Sequence, residues 1–115
     1  MNRTLLLIAL VASVCSGSAF ASGNVDAGKQ KSLPCQACHG ADGNAATDAQ
    51  YPRLAGQYHD YIEQSLREYK NGKRKNPIMA GFATALSDQD ILDVAAYFAS
   101  LPGKVEDLHG HLQGQ

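Results

Sequence analysis

Apolar side chains recur with the period of an α-helix in two stretches of the chain. In the first, a stripe of apolar positions predicts an amphipathic helix over residues 58–71, which Gly72 ends. In the second, the pattern predicts a helix that begins at Ser87, where Asp90 completes a capping-box pattern, and that ends at Pro102 and Gly103. The stripes consist of Tyr58, Ile62, Leu66 and Tyr69, and of Ile91, Val94, Ala95 and Phe98.

The remaining segments carry weaker patterns. A shorter helix is predicted from Val25 to Leu33, and Pro34 marks a break after it. Residues 40–54 are rich in Gly, Ala, Asp and Asn and predict a loop, and residues 73–84, which include Met79, predict a second irregular segment. No segment has the pattern of a strand, so the predicted fold is all-α with two long loops. Loops of this length in a small domain are usually functional or organised by a ligand.

Composition narrows the possible functions. The chain has 115 residues, 10 basic and 11 acidic side chains, no Trp and only 3 Phe. This balanced charge argues against nucleic-acid binding, which needs a strongly basic face. A short chain with few large apolar side chains buries a modest core, and such domains usually rely on a disulfide, a metal or a cofactor.

Residues 1–21 have the pattern of a secretory signal peptide. Arg3 gives the positive start, residues 5–14 form an apolar run, and Ala19-Phe20-Ala21 supplies a small-x-small cleavage site. The run is too short for a membrane span, which takes about 20 apolar residues. We therefore predict a signal peptide over 1–21, one domain over 22–103 and a C-terminal tail over 104–115. Cleavage would leave Met79 as the only methionine.

The segment Cys35-Gln36-Ala37-Cys38-His39 is the attachment signature of a c-type haem. In a helix, positions i, i+3 and i+4 share a face, so both thiols and the imidazole would point to the same side. The thiols would form thioethers to the haem, and His39 would ligate its iron. A thioredoxin-like pair needs a βαβ context, and a zinc site needs a second pair of ligands. A structural disulfide would leave His39 without a role.

Haem iron takes its second axial ligand from a short list of side chains. The candidates here are Met79, His59, His109 and His111. Met79 is favoured because it lies in a segment that could fold over the far face of the haem, away from any periodic apolar stripe. His59 lies off the stripe of its helix, which suits a solvated residue. The other two histidines lie in a Gly-rich tail, and such tails are commonly mobile.

With these motifs, the chain resembles a class I bacterial cytochrome c, in a short single-haem form similar to one half of the tandem dihaem cytochromes c. The resemblance extends over nearly all of the chain after the signal peptide, and it rests on five short stretches: residues 35–39, 51–57, 79–81, 86–91 and 94–98. The resemblance implies the class I cytochrome c fold, with His39 and Met79 as iron ligands. It also implies that the Pro52 carbonyl bonds His39 Nδ1, and that the first helix crosses the last with Gly28 against Tyr97.

The function implied by the resemblance is that of a periplasmic single-electron carrier, an electron-transfer protein rather than an enzyme. Its expected partners are redox proteins such as a quinol–cytochrome c reductase and a terminal oxidase or reductase. We expect a monomer or weak dimer that binds no nucleic acid and is not inserted in a membrane after signal cleavage. Two alternatives stay open: an electron-entry subunit of a larger oxidoreductase, and a ligand-binding haem protein with an open distal site.

One charged feature allows two interpretations. Lys70, Lys73, Arg74 and Lys75 form a basic run before Met79. The run either is a solvated helix end with charges that suit the helix dipole, or it flanks the haem edge and steers an acidic partner.

Overall fold

The computed structural model describes residues 22–103. This part of the chain contains five helices and no strand, which confirms the all-α prediction: α1 Val25–Lys31, α2 Leu33–His39, α3 His59–Lys70, α4 Pro77–Thr84 and α5 Asp88–Ser100. Among the described residues, no helix is both long enough and apolar enough to cross a bilayer. The signal peptide and tail predicted for 1–21 and 104–115, including His109 and His111, lie outside the described residues.

Helices α1 and α5 cross at very close range, and a glycine makes this possible. A Cβ atom added to Gly28 would lie 1.9 Å from the carbonyl oxygen of Asp93 and 2.8 Å from Cβ of Tyr97. Any side chain at this position would therefore push the two helices apart. The expected contact of Gly28 with Tyr97 is confirmed.

A buried carboxylate also ties α1 to α5. Asp93 is only 2% exposed, and its oxygens accept hydrogen bonds from the backbone of Asn24 at 2.8 Å, from Lys31 Nζ at 2.7 Å and from the Gln89 amide at 2.8 Å. Lys31 also pairs with Asp90 at 2.6 Å. Because a buried charge is costly unless it is paired and hydrogen-bonded, these partners explain why Asp93 can face α1.

Helix α5 is the centre of the core. The predicted capping box starts it: the backbone N–H of Asp90 donates to Ser87 Oγ at 3.1 Å, and that of Ser87 donates to Asp90 Oδ2 at 2.9 Å. The buried core includes side chains of α3, α4 and α5: Ile62, Leu66, Ala83, Ile91, Val94, Ala95, Tyr97 and Phe98.

Two details of the predicted helices are wrong. The first helix ends at Lys31 rather than Leu33, and a separate helix, α2, starts immediately after Ser32, with Pro34 in its first turn. Proline is tolerated there because the first N–H groups of a helix have no intrahelical partner. Tyr58, which the pattern places on the apolar stripe of this helix, is 61% exposed, since it precedes the first helical residue, His59.

The prediction of an irregular segment over 73–84 is also wrong, because its last eight residues form helix α4. The Asn76 side chain accepts hydrogen bonds from the backbone of Ile78 at 3.0 Å and of Met79 at 3.2 Å. Pro77 occupies the first helical position, where its fixed φ favours the helix. Met79 therefore lies on a capped helix rather than in a loop.

Candidate functional site

Helix α2 presents its two thiols and its imidazole to one cavity. Cys35, Cys38 and His39 all line it, as their i, i+3, i+4 spacing on a helix predicts. The helix ends at His39 and is followed by Gly40, whose φ of 87° lies in the region that favours glycine. A Cβ atom there would lie 2.5 Å from the carbonyl oxygen of Ala45, so the chain can turn sharply directly after His39.

The cavity has a volume of about 280 Å³. Its other walls come from the 40–57 loop and from α3, α4 and α5, and they are mainly apolar. The apolar and aromatic lining residues are Pro34, Tyr51, Pro52, Leu54, Tyr61, Ile62, Leu66, Tyr69, Ile78, Met79, Phe82, Val94 and Phe98. A mainly apolar cavity with a few convergent polar groups is typical of a cofactor site.

The imidazole of His39 is buried, and a backbone carbonyl sets its tautomer. His39 is 4% exposed, and its Nδ1 lies 2.7 Å from the carbonyl oxygen of Pro52. Since a carbonyl oxygen can only accept, Nδ1 must carry the proton. The Nε2 lone pair is then left available for a metal ion. This hydrogen bond is the one that the family resemblance implied.

The loop after α2 is folded so that Pro52 meets His39. The carbonyl oxygen of Gly43 accepts hydrogen bonds from the backbone of Leu54 at 2.8 Å and of Ala55 at 3.1 Å. The Tyr51 ring also meets the His39 ring edge-on, with centroids 6.2 Å apart. The predicted loop over 40–54 is thus an ordered wall of the cavity.

Met79 lines the same cavity from α4 and packs against the core. The structure therefore brings together the five residues predicted to bind the cofactor: Cys35, Cys38, His39, Pro52 and Met79. His59, the alternative ligand in the described part of the chain, lies in the first turn of α3 and does not line the cavity.

The alternative uses of the cysteines find no support in this geometry. Cys35 and Cys38 are not joined to each other by a disulfide, and burial is the main cause that raises the pKa of Cys35. A thioredoxin-like pair needs a βαβ context, and the described residues contain no strand. Nowhere in residues 22–103 do three side chains of His, Cys, Asp or Glu come together as a zinc site would require.

Some polar residues of the cavity were not predicted from the sequence. Arg53 and Arg74 both contribute to its lining, and so do Tyr61 and Tyr69 of α3. The eight-residue separation of the two tyrosines, about two helical turns, was the signal that could have placed them on one face. Nothing in the local sequence around Arg74 sets it apart from the lysines beside it.

The donors in this cavity fit a c-type haem. Two thiols on one helix face suit covalent attachment at the edge of the macrocycle. An imidazole with a free Nε2 and a neutral thioether are both ligands that haem iron accepts. The apolar walls suit the faces of a flat, largely hydrophobic ring.

Comparison with known proteins agrees with this chemistry. The sequence model of the cytochrome c family matches residues 25–102. Cytochrome c4 of Pseudomonas aeruginosa is 45% identical over 100 residues, covering 87% of this chain and 49% of the relative. Cytochrome c-554(548) of Halomonas halodenitrificans is 43% identical over 82 residues, covering 69% of this chain and 98% of the relative.

Solved structures give the same result. The crystal structure of reduced recombinant cytochrome c4 from Pseudomonas stutzeri superposes with a TM-score of 0.67 at 41% identity, covering 73% of this chain and 48% of the other. The chain thus spans about half the length of the cytochromes c4 that it matches. The class I cytochrome c fold implied by the resemblance is confirmed. The chain belongs to the cytochrome c family, whose cofactor is a covalently bound, iron-containing haem c.

Proposed function

We propose that this protein is a single-electron carrier with one haem c, attached through Cys35 and Cys38 and ligated at its iron by His39 and Met79. The observation that carries the proposal is the meeting of these four side chains in one apolar cavity. When bound, the haem supplies a one-electron couple between ferric and ferrous iron. The protein's own residues attach it, complete its coordination and shield it from water.

The two ligands have complementary roles in this proposal. His39 is oriented by the hydrogen bond from its Nδ1 to the Pro52 carbonyl. This bond also makes the Nε2 lone pair a stronger ligand for iron. Met79 offers a thioether, which needs no deprotonation and favours ferrous iron, so it raises the reduction potential. Two protein ligands leave no coordination position for a substrate. This supports a carrier rather than an enzyme.

The optical spectrum of the oxidised protein tests the proposal. We expect a weak long-wavelength absorption band that arises from the bond between the haem iron and the Met79 sulfur, called the Fe–S band below. The band should disappear in Met79→Ala and persist in Ile78→Ala, the matched change at the neighbouring position of α4. A high-spin oxidised protein whose reduced form binds carbon monoxide readily without unfolding would contradict the proposal. It would favour a ligand-binding haem protein with an open distal site.

The proposal extends to location and partners. We place the carrier in the periplasm, exported through residues 1–21, between a donor such as a quinol–cytochrome c reductase and an acceptor such as a terminal oxidase or reductase. The similarity to cytochromes c4 supports this assignment. Haem staining of periplasmic and cytoplasmic extracts tests the location, and reduction by membranes with added quinol tests the donor.

In this proposal, only two residues of the basic run, Lys73 and Lys75, take part in partner docking. Lys70, Lys73 and Lys75 are all exposed, but Lys70 Nζ donates to the Leu86 carbonyl at 2.5 Å, and Arg74 lines the cavity. We expect Lys73 and Lys75 to steer an acidic partner. The variant Lys73→Glu, Lys75→Glu should then flatten the dependence of electron-transfer rate on ionic strength. An unchanged salt dependence would contradict this docking role.

A further inference from the structure

Arg74 differs from its basic neighbours in where its side chain goes. Lys73 and Lys75 on either side are exposed, but the Arg74 side chain is only 36% exposed and reaches the cavity lining. Its guanidinium carbon lies 5.8 Å from the centre of the Tyr61 ring and 5.4 Å from that of Tyr69. A guanidinium at this distance from an aromatic ring is attracted to it, and here two rings share one cation.

The carboxylate and carbonyl of Glu68 hold the same arginine. Arg74 Nε donates to Glu68 Oε2 at 3.3 Å, and the Arg74 backbone N–H donates to the Glu68 carbonyl at 3.1 Å. Tyr61, Glu68 and Tyr69 all belong to α3. We name these contacts of Arg74 with Tyr61, Glu68 and Tyr69 the Arg74 clamp. The clamp fastens the segment after α3 back onto α3 itself.

The fastened segment leads directly to the proposed thioether ligand. Arg74 precedes Asn76, the N-cap of α4, by two residues, and Met79 follows in the first turn of that helix. The start of α4, and with it the position of Met79, therefore depends on where residues 71–76 are held. The sequence gives Met79 no local anchor comparable to the attachment cysteines beside His39.

We infer that Arg74 is a positioning residue for Met79: the Arg74 clamp holds the start of α4 against α3 and so slows detachment of the thioether. This inference rests on the proposed ligation of iron by Met79. The planar guanidinium matters as well as its charge, since only a flat group can lie over two rings while it pairs with a carboxylate. An ammonium group at this position would keep the charge and lose that arrangement.

Binding of added imidazole to the oxidised protein tests the clamp. Imidazole can replace Met79 only after the thioether has left, so the rate at saturating imidazole measures detachment. We expect Arg74→Gln to raise this rate about tenfold, given the usual strength of cation–π contacts. Arg74→Lys should raise it by a smaller factor. The matched controls Lys73→Gln and Lys75→Gln remove the same charge from exposed neighbours and should leave the rate unchanged.

Each result supports or overturns the clamp. A wild-type rate in Arg74→Gln or Arg74→Lys overturns it, and so does equal acceleration in the two lysine controls. If Arg74→Gln yields no folded protein, Tyr61→Leu removes one half-exposed ring of the clamp. It should also speed binding, and a wild-type rate there overturns the clamp. Failure of the proposed function is distinguishable, because the wild type would then lack the Fe–S band and bind imidazole as fast as Met79→Ala.

Discussion

The two walls of the cavity are built in different ways. The His39 wall consists of α2 and the loop over 40–57, and the Met79 wall consists of α3, α4 and the segment between them. In the His39 wall, both thiols and the imidazole lie within five consecutive residues, and one hydrogen bond to Pro52 orients the ring. In the Met79 wall, the thioether depends on the Asn76 cap and on the Arg74 clamp. The donors of the His39 wall are placed by their spacing within one short helix, whereas Met79 is placed by a helix cap and by contacts of the preceding segment with α3.

The largest expected effect separates the two walls directly. His39→Ala should lower the yield of folded, haem-containing protein roughly tenfold or more, since a small domain that loses its ligand to the cofactor loses the stability that binding supplies. Met79→Ala should retain covalent haem and helical structure, because the attachment helix is intact. Haem-stained gels and far-UV circular dichroism measure both. Equal yields from the two variants would contradict the difference between the walls.

The same difference explains what the sequence could and could not predict. The attachment helix was predictable because its chemistry depends on spacing within one turn. The Pro52 contact came only from the family resemblance, since its two partners lie thirteen residues apart in a loop. Helix α4 was missed because a proline can either end a helix or occupy its first position. The Asn76 cap is what places Pro77 at the start of a helix. The Arg74 clamp depends on the fold of α3 against the following segment, which no local pattern encodes.

The next effect in size is a loss of stability at low pH, and it concerns the contact between α1 and α5 that supports the His39 wall. Helix α2 follows α1 directly, and α1 is tied to α5 by Lys31 with Asp90 and Asp93. The hydrogen bond from Lys31 is the main cause that lowers the pKa of Asp90 from 3.8 to about 2. The backbone N–H of Asn24, followed by Lys31, lowers the pKa of Asp93.

Because both carboxyl groups have a lower pKa in the folded chain than in the unfolded one, their stabilisation is complete above the unfolded value near 4. It is lost as the pH falls from there through about 2. We expect the free energy of unfolding, measured by urea titration, to drop by on the order of 1–2 kcal/mol as the pH falls across this window. Lys31→Gln should be less stable at pH 7 and should show a weaker drop. An acid dependence identical to that of the wild type would contradict this role of Lys31.

A smaller effect is expected from the cap of the Met79 wall. Asn76→Ala removes the acceptor for the N–H groups of Ile78 and Met79, and loss of such a cap costs about 1 kcal/mol. The Fe–S band should then disappear at a lower urea concentration than the helical circular dichroism signal. Asn24→Ala is the matched control, because Asn24 caps α1 by accepting from Ala27 at 2.9 Å. Asn24→Ala should lower the free energy of unfolding by a similar amount, but the Fe–S band and the helical circular dichroism signal should be lost at the same urea concentration. Coincident loss in Asn76→Ala would show that the Met79 wall does not open on its own.

The smallest expected effect is a gain in stability on the Met79 wall. Gly81 lies within α4, and a Cβ atom added there would meet nothing within 4 Å. Since glycine in a helix is about 1 kcal/mol less favourable than alanine, Gly81→Ala should stabilise α4 by roughly 0.5–1 kcal/mol and shift loss of the Fe–S band to higher urea. Gly28→Ala is the contrasting control, because its Cβ would lie 1.9 Å from the carbonyl oxygen of Asp93 and should destabilise the whole domain. If Gly81→Ala raises the urea midpoint of the helices but leaves the band unchanged, then the stability of α4 does not limit the Met79 wall. The Arg74 clamp would remain as the contact that does.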